Sequence, residues 1–306
     1  MRNWLTPAGS LLLGAFLAAV SLPTAAQQAP LRVAYVNWSS SVASANLVCA
    51  MLDEELGRSC ELIEVTAEGM WKAVASGEAD VMLSAWLPDT HGAYLEEYGD
   101  RMVDLGPNLE GTRTGLVVPA VRAGRQTRAS GVRNPAYVGA ESIADLRDMG
   151  DRFGRRIIGI DPGAGVMQAA RRAMDAYDLD TYRLIDGSEL SMTDALSEAI
   201  ARQEPIVVTG WVPHWMFDRW SLRFLDDPEN VFGGTGRIHT MVRKGLAADM
   251  PRLHGILDRF YWNPEDMNRL LIWNRADEGL DPYGNASRWL RAHPGYVAAW
   301  LGQEEN

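Results

Sequence analysis

Three of the eleven tryptophans stand at the same kind of position, at the end of an apolar run. Trp38 closes "VAYVNW", Trp86 closes "VMLSAW" and Trp211 closes "PIVVTGW". Indole faces attract cations more strongly than other aromatic rings do. A quaternary ammonium has no N–H to donate, so a box of indole faces suits it better than a carboxylate that must be desolvated. The alternative is that the three rings only pack in the core.

A second pattern, the turn from Asp161 to Gly165, could bind an anion. It follows the apolar run "IIGI" and precedes a helix predicted to begin near Val166. A helix N-terminus offers free N–H groups and the positive end of the helix dipole. Gly165 would let a ligand carboxylate approach the backbone, and His91 could donate a further N–H. The alternatives are a tight turn without a ligand and a structural histidine. The third glycine of a dinucleotide fingerprint is missing, which argues against NAD.

These residues need a framework that brings the ends of several strands together. The apolar runs predict strands over 31–36, 61–65, 80–86, 114–120, 155–160, 182–185, 204–211 and 237–245. Helical patterns lie over 42–56, 70–77, 142–149, 165–179 and 191–203, and helices dominate after Pro251. The helix at 191–203 is predicted to begin with a cap formed by Ser191 and Asp194.

Strands that alternate with helices predict an α/β architecture with parallel sheets. Two such runs, at about 30–118 and 155–211, predict two lobes with a ligand cleft between them. Ligands of open α/β sheets bind outside the carboxyl ends of the strands, so the three tryptophans could line one cavity. A loop rich in arginine, 121–135, interrupts the pattern near the boundary between the lobes.

The N-terminal segment 1–26 is predicted to be a secretory signal peptide. It combines an early positive charge, a short apolar stretch and a small-residue end. The mature protein is therefore expected in the periplasm. Residues 27–118 and about 238–306 are predicted to form the first lobe, and about 119–237 the second.

The composition restricts partners and cofactors. The net charge of −11 disfavours nucleic acid and anionic membranes as partners. Cys49 and Cys60, the two cysteines, favour a disulfide in an exported protein, with two buried thiols as the alternative. Their spacing does not suggest a metal site, and no cofactor is expected. An exported hydrolase is the alternative of another class, but the chain has no G-x-S-x-G, HExxH or CxxC motif.

Several stretches together resemble the glycine betaine/proline betaine substrate-binding proteins of ABC transporters. The resemblance runs from about Leu31 to the C-terminus, and it is carried by "AYVNWSSSVASANLV", "SAWLPDTH", "IIGIDPGAGVMQAARRAM" and "GWVPHWMF". It implies a two-lobed binding protein that closes on its ligand at a hinge. It also implies a monomer that delivers a betaine to a permease in the membrane.

The resemblance also implies roles for the residues singled out above. Trp38, Trp86 and Trp211 would cage the trimethylammonium group, while the amides of Gly165 and Val166 would hold the carboxylate. The side chain of His91 would complete the carboxylate site. Where some relatives carry acidic residues after the first tryptophan, this chain has the serines 39–41, which leaves the choice of ligand open. Choline, carnitine or another quaternary amine is the alternative ligand.

Overall fold

The computed structural model describes residues 29–120, 125–126, 133–134 and 138–303. The strands in these residues are β1 (Leu31–Tyr35), β2 (Cys60–Glu64), β3 (Val81–Leu87), β4 (Met102–Pro119), β5 (Arg125–Gln126), β6 (Arg133–Asn134), β7 (Arg156–Ile158), β8 (Arg183–Ile185), β9 (Val208–Val212), β10 (Leu222–Phe224) and β11 (Gly236–Arg243). The helices are α1 (Ser39–Leu56), α2 (Ala67–Ser76), α3 (Gly92–Tyr98), α4 (Gly165–Ala176), α5 (Glu189–Arg202), α6 (Met216–Arg219), α7 (Leu246–Asp249), α8 (Pro251–Arg259), α9 (Pro264–Ala276), α10 (Pro282–Ala292) and α11 (Pro294–Leu301).

One nine-stranded sheet runs through the molecule in the order β2-β1-β3-β11-β4-β9-β7-β8, and β10 also pairs with β4. β1 is parallel to β2 and β3, and β7 is parallel to β8 and β9. These two parallel groups confirm the prediction for the β/α runs. The strands between them are antiparallel, because β11 pairs antiparallel with both β3 and β4, and β4 does so with β9.

β4 joins the two halves of the sheet. Its first part pairs with β11 from Met102 to Thr112, and its second part pairs with β9 from Arg113 to Val117. The sequence predicted only the apolar second part, because in the first part, "MVDLGPNLEGT", polar residues, glycines and a proline interrupt the apolar residues. The result is the predicted two-lobed α/β fold, with a cleft between the lobes.

Two predicted helices differ from the structure. α5 begins at Glu189 behind the capping residue Ser188, whose side chain accepts a hydrogen bond from the Ser191 amide. The cap predicted at Ser191 is therefore wrong by one turn, because Ser188 offers the same side-chain chemistry at the true start. The segment predicted as a helix at 142–149 is a 3₁₀ turn over Ile143–Arg147.

The C-terminal helices cover the first lobe. α9 and α10 pack against α1, and α8 and α9 contact β4. Cys49 and Cys60 form a disulfide with a Cα–Cα distance of 5.5 Å, which ties α1 to β2 as predicted. No helix in the described part of the chain is long and apolar enough to cross a membrane.

Some predictions fall where the structure says little. The predicted signal peptide, 1–26, lies outside the described residues. Of the arginine-rich loop, only the backbone pairing of β5 with β6 is described. The exact boundaries of the lobes remain a prediction.

Candidate functional site

All six residues that were predicted to bind ligand line a single cavity between the lobes. The cavity is small, with a volume of about 30 Å³. The lining residues are Trp38, Ser40, Trp86, Thr90, His91, Thr114, Ile160, Ala164, Gly165, Val166 and Trp211. The cavity therefore suits a small molecule that has both an apolar surface and hydrogen-bonding groups.

The three tryptophans reach the cavity from different elements. Trp38 lies just after β1 and precedes α1, Trp86 lies near the end of β3, and Trp211 lies in β9. Each residue is only 5% exposed. Within the described residues, no ring contact joins two of the three, and the ring partners of Trp38 and Trp211 are histidines. The indoles therefore line the cavity without stacking on one another.

His91 is held in one tautomer. It lies just before α3 and is 1% exposed. The backbone N–H of Trp86 donates to its Nδ1 at 3.2 Å, so the ring proton is on Nε2. Burial lowers the pKa of His91 to about 3, which keeps the ring neutral at physiological pH. A neutral imidazole with Nε2–H is a hydrogen-bond donor to a carboxylate.

The N-terminus of α4 supplies two backbone donors. The first hydrogen bonds into the helix come from the amides of Met167 and Gln168, which donate to the Ala164 carbonyl. The amides of Gly165 and Val166 precede them and have no acceptor among the described residues. Because the helix dipole adds a positive potential there, this end of the cavity can hold an anion.

Gly165 also serves a purpose that the sequence did not reveal. A Cβ at this position would lie 2.0 Å from the carbonyl oxygen of Thr90, in the loop between β3 and α3. The missing side chain therefore lets the start of α4 in the second lobe pack against a loop of the first lobe. The close contact of the lobes therefore requires glycine at this position, independently of any ligand bound to the Gly165 amide.

The sequence did not single out Ser40, Thr90 or Thr114 as site residues. Ser40 is buried, and its Oγ has no hydrogen-bond partner in the described structure. Its place two residues after Trp38, at the start of a helix, was a signal that could have identified it. Thr114 lies opposite Trp211 in the pairing of β4 with β9, and such register is not readable from the sequence.

Four hydrogen bonds between described residues connect the lobes around the cavity. The indole N–H of Trp38 donates to Oδ2 of Asp161 at 3.0 Å. The hydroxyl of Tyr94 donates to the Gly163 carbonyl at 2.7 Å. Nε2 of Gln168 donates to the hydroxyl of Tyr94 at 3.3 Å. The Ser39 amide donates to Oε2 of Glu189 at 2.9 Å. The lobes are thus in direct contact at the cavity wall.

Among the residues that the structure describes, no group of three or more His, Cys, Asp or Glu side chains could hold a metal ion. The chemistry of the cavity lies in aromatic faces, N–H donors and hydroxyls.

A two-lobed α/β fold with a small cavity between the lobes is the architecture of the periplasmic binding proteins. Residues 29–292 match the family described as the substrate-binding domain of ABC-type glycine betaine transport systems, and the chain belongs to this family. Members of the family are substrate-binding proteins rather than enzymes, which removes the exported hydrolase as an alternative.

Solved structures of similar proteins agree with this assignment. A lactococcal protein crystallised in a closed form with glycine betaine has 36% identity and a TM-score of 0.79, over 89% of this chain and 99% of that chain. A glycine betaine/L-proline-binding protein from Borrelia burgdorferi has 35% identity and a TM-score of 0.80, over 89% and 96% of the two chains. A choline-binding protein in complex with choline has 25% identity and a TM-score of 0.79, over 89% and 91%.

A curated relative is similar over a shorter region. The glycine betaine/carnitine transport binding protein of Listeria monocytogenes is 44% identical over 156 residues, which are 50% of this chain and 51% of the relative. The match therefore spans about half the length of that relative.

Proposed function

We propose that this protein is the extracytoplasmic solute-binding component of an ABC importer and that its ligand is glycine betaine or a similar betaine. The observation that carries the proposal is the composition of one cavity. Three indole rings line it together with two free amides of a helix N-terminus and the Nε2–H of His91. One part of this lining suits a quaternary ammonium, and the other suits a carboxylate.

The cation would lie among Trp38, Trp86 and Trp211. A desolvated cation–π contact contributes up to about 2 kcal/mol, so three contacts supply roughly 4–6 kcal/mol. Micromolar affinity requires about 8 kcal/mol. The carboxylate would supply the rest of this binding free energy by accepting hydrogen bonds from the amides of Gly165 and Val166.

Two further side chains complete the carboxylate end. The neutral His91 would donate from Nε2, and the hydroxyl of Ser40, which has no protein partner in the described structure, would donate as well. A ligand held in this way contacts elements of both lobes, so binding would favour the closed arrangement. The closed protein would then deliver its ligand to a permease in the membrane.

Choline and carnitine are the alternative ligands, and two similar proteins named above support considering them. Choline carries a hydroxyl in place of the carboxylate, so the helix N-terminus and His91 would have no charged partner. Carnitine keeps the carboxylate but places it further from the ammonium group. The small cavity therefore favours glycine betaine.

Calorimetric titration tests the proposal. The mature protein is unfolded and refolded to remove bound ligand, then titrated with glycine betaine, proline betaine, carnitine and choline. Micromolar or tighter binding of glycine betaine, with much weaker binding of choline, is the expected result. Choline binding without glycine betaine would retain the cage and remove the roles of Gly165, Val166 and His91. No heat with any of the four would contradict the proposal.

The variant His91→Ala separates the two ends of the site. It should weaken glycine betaine far more than choline, because only the betaine carboxylate uses the Nε2–H donor. An equal loss for both ligands would remove His91 from the carboxylate site.

A further inference from the structure

A buried carboxylate of the second lobe lies against the first lobe beside the cavity. Glu189 is 8% exposed and is the first residue of α5. Its Oε2 accepts a hydrogen bond from the amide of Ser39, and its Oε1 lies 3.1 Å from Nε2 of His214. Burial by itself raises the pKa of the Glu189 carboxyl, but the His214 ring and the Ser39 amide outweigh it and hold the pKa below its ordinary value. The side chain is therefore an anion at neutral pH.

The Glu189 carboxylate lies at the N-terminus of α1. Ser39 is the first residue of that 18-residue helix, and its preceding residue, Trp38, supplies no side-chain cap. The first amides of a helix lack partners within the helix and carry the positive end of its dipole. Glu189 thus provides from the opposite lobe the acceptor and the negative charge that α1 lacks in its own segment.

A second carboxylate of the second lobe holds the neighbouring residue. Asp161 accepts the indole N–H of Trp38, so the corner formed by Trp38 and Ser39 is fixed by two acceptors from across the cleft. Trp38 lines the cavity. The position of one indole of the proposed cage is therefore coupled to contact between the lobes.

His214 belongs to the same arrangement. The Met216 amide donates to its Nδ1 at 3.0 Å, which leaves the ring proton on the Nε2 that faces Glu189. The ring of His214 also contacts Trp211 edge-on, with 4.8 Å between centroids. His214 and Glu189 are both in the second lobe, so their proximity does not depend on closure, whereas the contact between Glu189 and Ser39 does.

We propose that Glu189 is a positioning residue that latches the closed lobes: its carboxylate binds the N-terminus of α1 only when the lobes meet, and so holds Trp38 against the ligand. The inference rests on the proposed function, because the latch acts on ligand that the cavity binds. In the open protein, the Glu189 carboxylate would keep its contact with His214 and would be hydrated in place of its hydrogen bond with Ser39. Opening therefore leaves no buried charge without a partner. The latch slows release of the ligand rather than capture.

Stopped-flow fluorescence and small-angle scattering test the latch in full-length mature protein. The variants are Glu189→Ala, Glu189→Gln and, as matched control, Glu198→Gln, which changes an exposed carboxylate on the same helix. Glu189→Ala removes a charge-assisted hydrogen bond. We therefore expect the dissociation rate of glycine betaine to increase about ten- to hundred-fold. The association rate is expected to stay at the wild-type value. Glu189→Gln should be intermediate, because its amide oxygen still accepts from Ser39 but carries no charge.

Three outcomes separate this inference from the proposed function. An unchanged dissociation rate in both Glu189 variants, with tight binding retained, would overturn the latch alone. If the wild-type protein binds none of the four ligands, the proposed function fails, and the latch is then tested by the scattering radius without ligand. That radius should exceed the control value in both Glu189 variants, and equal radii would overturn the latch. If Glu189→Ala does not fold, Glu189→Gln carries the same tests.

Discussion

The indoles of Trp38, Trp86 and Trp211 are buried among protein atoms and still line the cavity. Low exposure removes water from the ring faces, which strengthens their attraction for a cation. A neutral His91 fits the same environment, because a charged imidazolium would repel the ammonium group of the ligand. At the scale of single residues, the site combines desolvated aromatic faces with donors that carry no net charge.

Replacing Trp86 with leucine is expected to weaken every quaternary amine. Loss of one desolvated cation–π contact, about 2 kcal/mol, corresponds to about 30-fold in Kd for glycine betaine and choline alike. Titration calorimetry measures the change. Trp273→Leu is the control, because Trp273 is a partly buried tryptophan of α9 that does not line the cavity. Wild-type affinity in the Trp86 variant would remove that ring from the cage.

His91 should make stability depend on pH. In the folded protein its pKa is about 3, whereas a histidine in the unfolded chain has a pKa near 6.5. Between these values the unfolded state binds one more proton, so the free energy of unfolding falls as pH falls. The expected slope from this residue is about 1.4 kcal/mol per pH unit.

Urea unfolding at pH 6, 5 and 4 tests the effect. The variant His91→Asn keeps an acceptor near the position of Nδ1 and has no titrating ring, so its stability should fall less steeply than that of the wild type. A slope in the His91→Asn variant equal to that of the wild type would contradict a buried neutral His91.

At the scale of elements, the site depends on how helix starts meet across the cleft. The start of α4 packs against the loop after β3, and the start of α1 receives the Glu189 carboxylate. In both cases, backbone atoms of one lobe approach the other lobe closely. Such contacts require small residues or bare amides, because a side chain at the same place would separate the lobes.

Gly165→Ala tests this requirement. The added methyl would lie 2.0 Å from the Thr90 carbonyl oxygen, so the closed arrangement would be strained while each lobe could fold. Overpacking of about 1–3 kcal/mol, applied to the closed form, would weaken glycine betaine by roughly 5- to 150-fold. Gly163→Ala in the same turn is the matched control, because its Cβ would be 3.6 Å from the Tyr94 hydroxyl, an ordinary contact. Similar Kd values for the two variants would contradict the close-approach role.

At the scale of the whole molecule, β4 and the segment 225–235 are the two places where the described chain passes between the halves of the sheet. Within the described residues, these two crossings are the covalent links between the halves. The cavity and the four hydrogen bonds that join the lobes around it lie at the same boundary. The proposed ligand binding and the proposed closure of the lobes would therefore act on the same surfaces.

The disulfide lies in the first lobe and should affect stability without affecting binding. Cys49 is nine residues beyond Ser40 in α1, about 14 Å along the helix axis, and is therefore remote from the cavity. The double variant Cys49→Ser/Cys60→Ser is expected to lose roughly 3 kcal/mol of unfolding free energy in the chain-entropy model. Denaturant unfolding measures the loss of stability, and titration calorimetry measures the affinity for glycine betaine. A weaker affinity for glycine betaine, measured where the double variant is fully folded, would contradict this separation.

The sequence by itself determined the α/β class, the disulfide and six of the residues that line the cavity. These could be predicted because apolar strand ends, a glycine turn before a helix and paired cysteines are local patterns with direct physical meaning. The family motifs then assigned roles to Trp38, Trp86, Trp211, His91, Gly165 and Val166, and those roles remain proposals.

Only the tertiary structure decided the rest. The first part of β4, the place of Thr114 opposite Trp211 and the contact of Gly165 with Thr90 depend on strand register and lobe packing, which no local pattern encodes. The contact between Glu189 and Ser39 joins residues 150 positions apart. In the sequence, Glu189 cannot be distinguished from a surface glutamate. Its burial and its contact with the start of α1 arise only when the two lobes pack together.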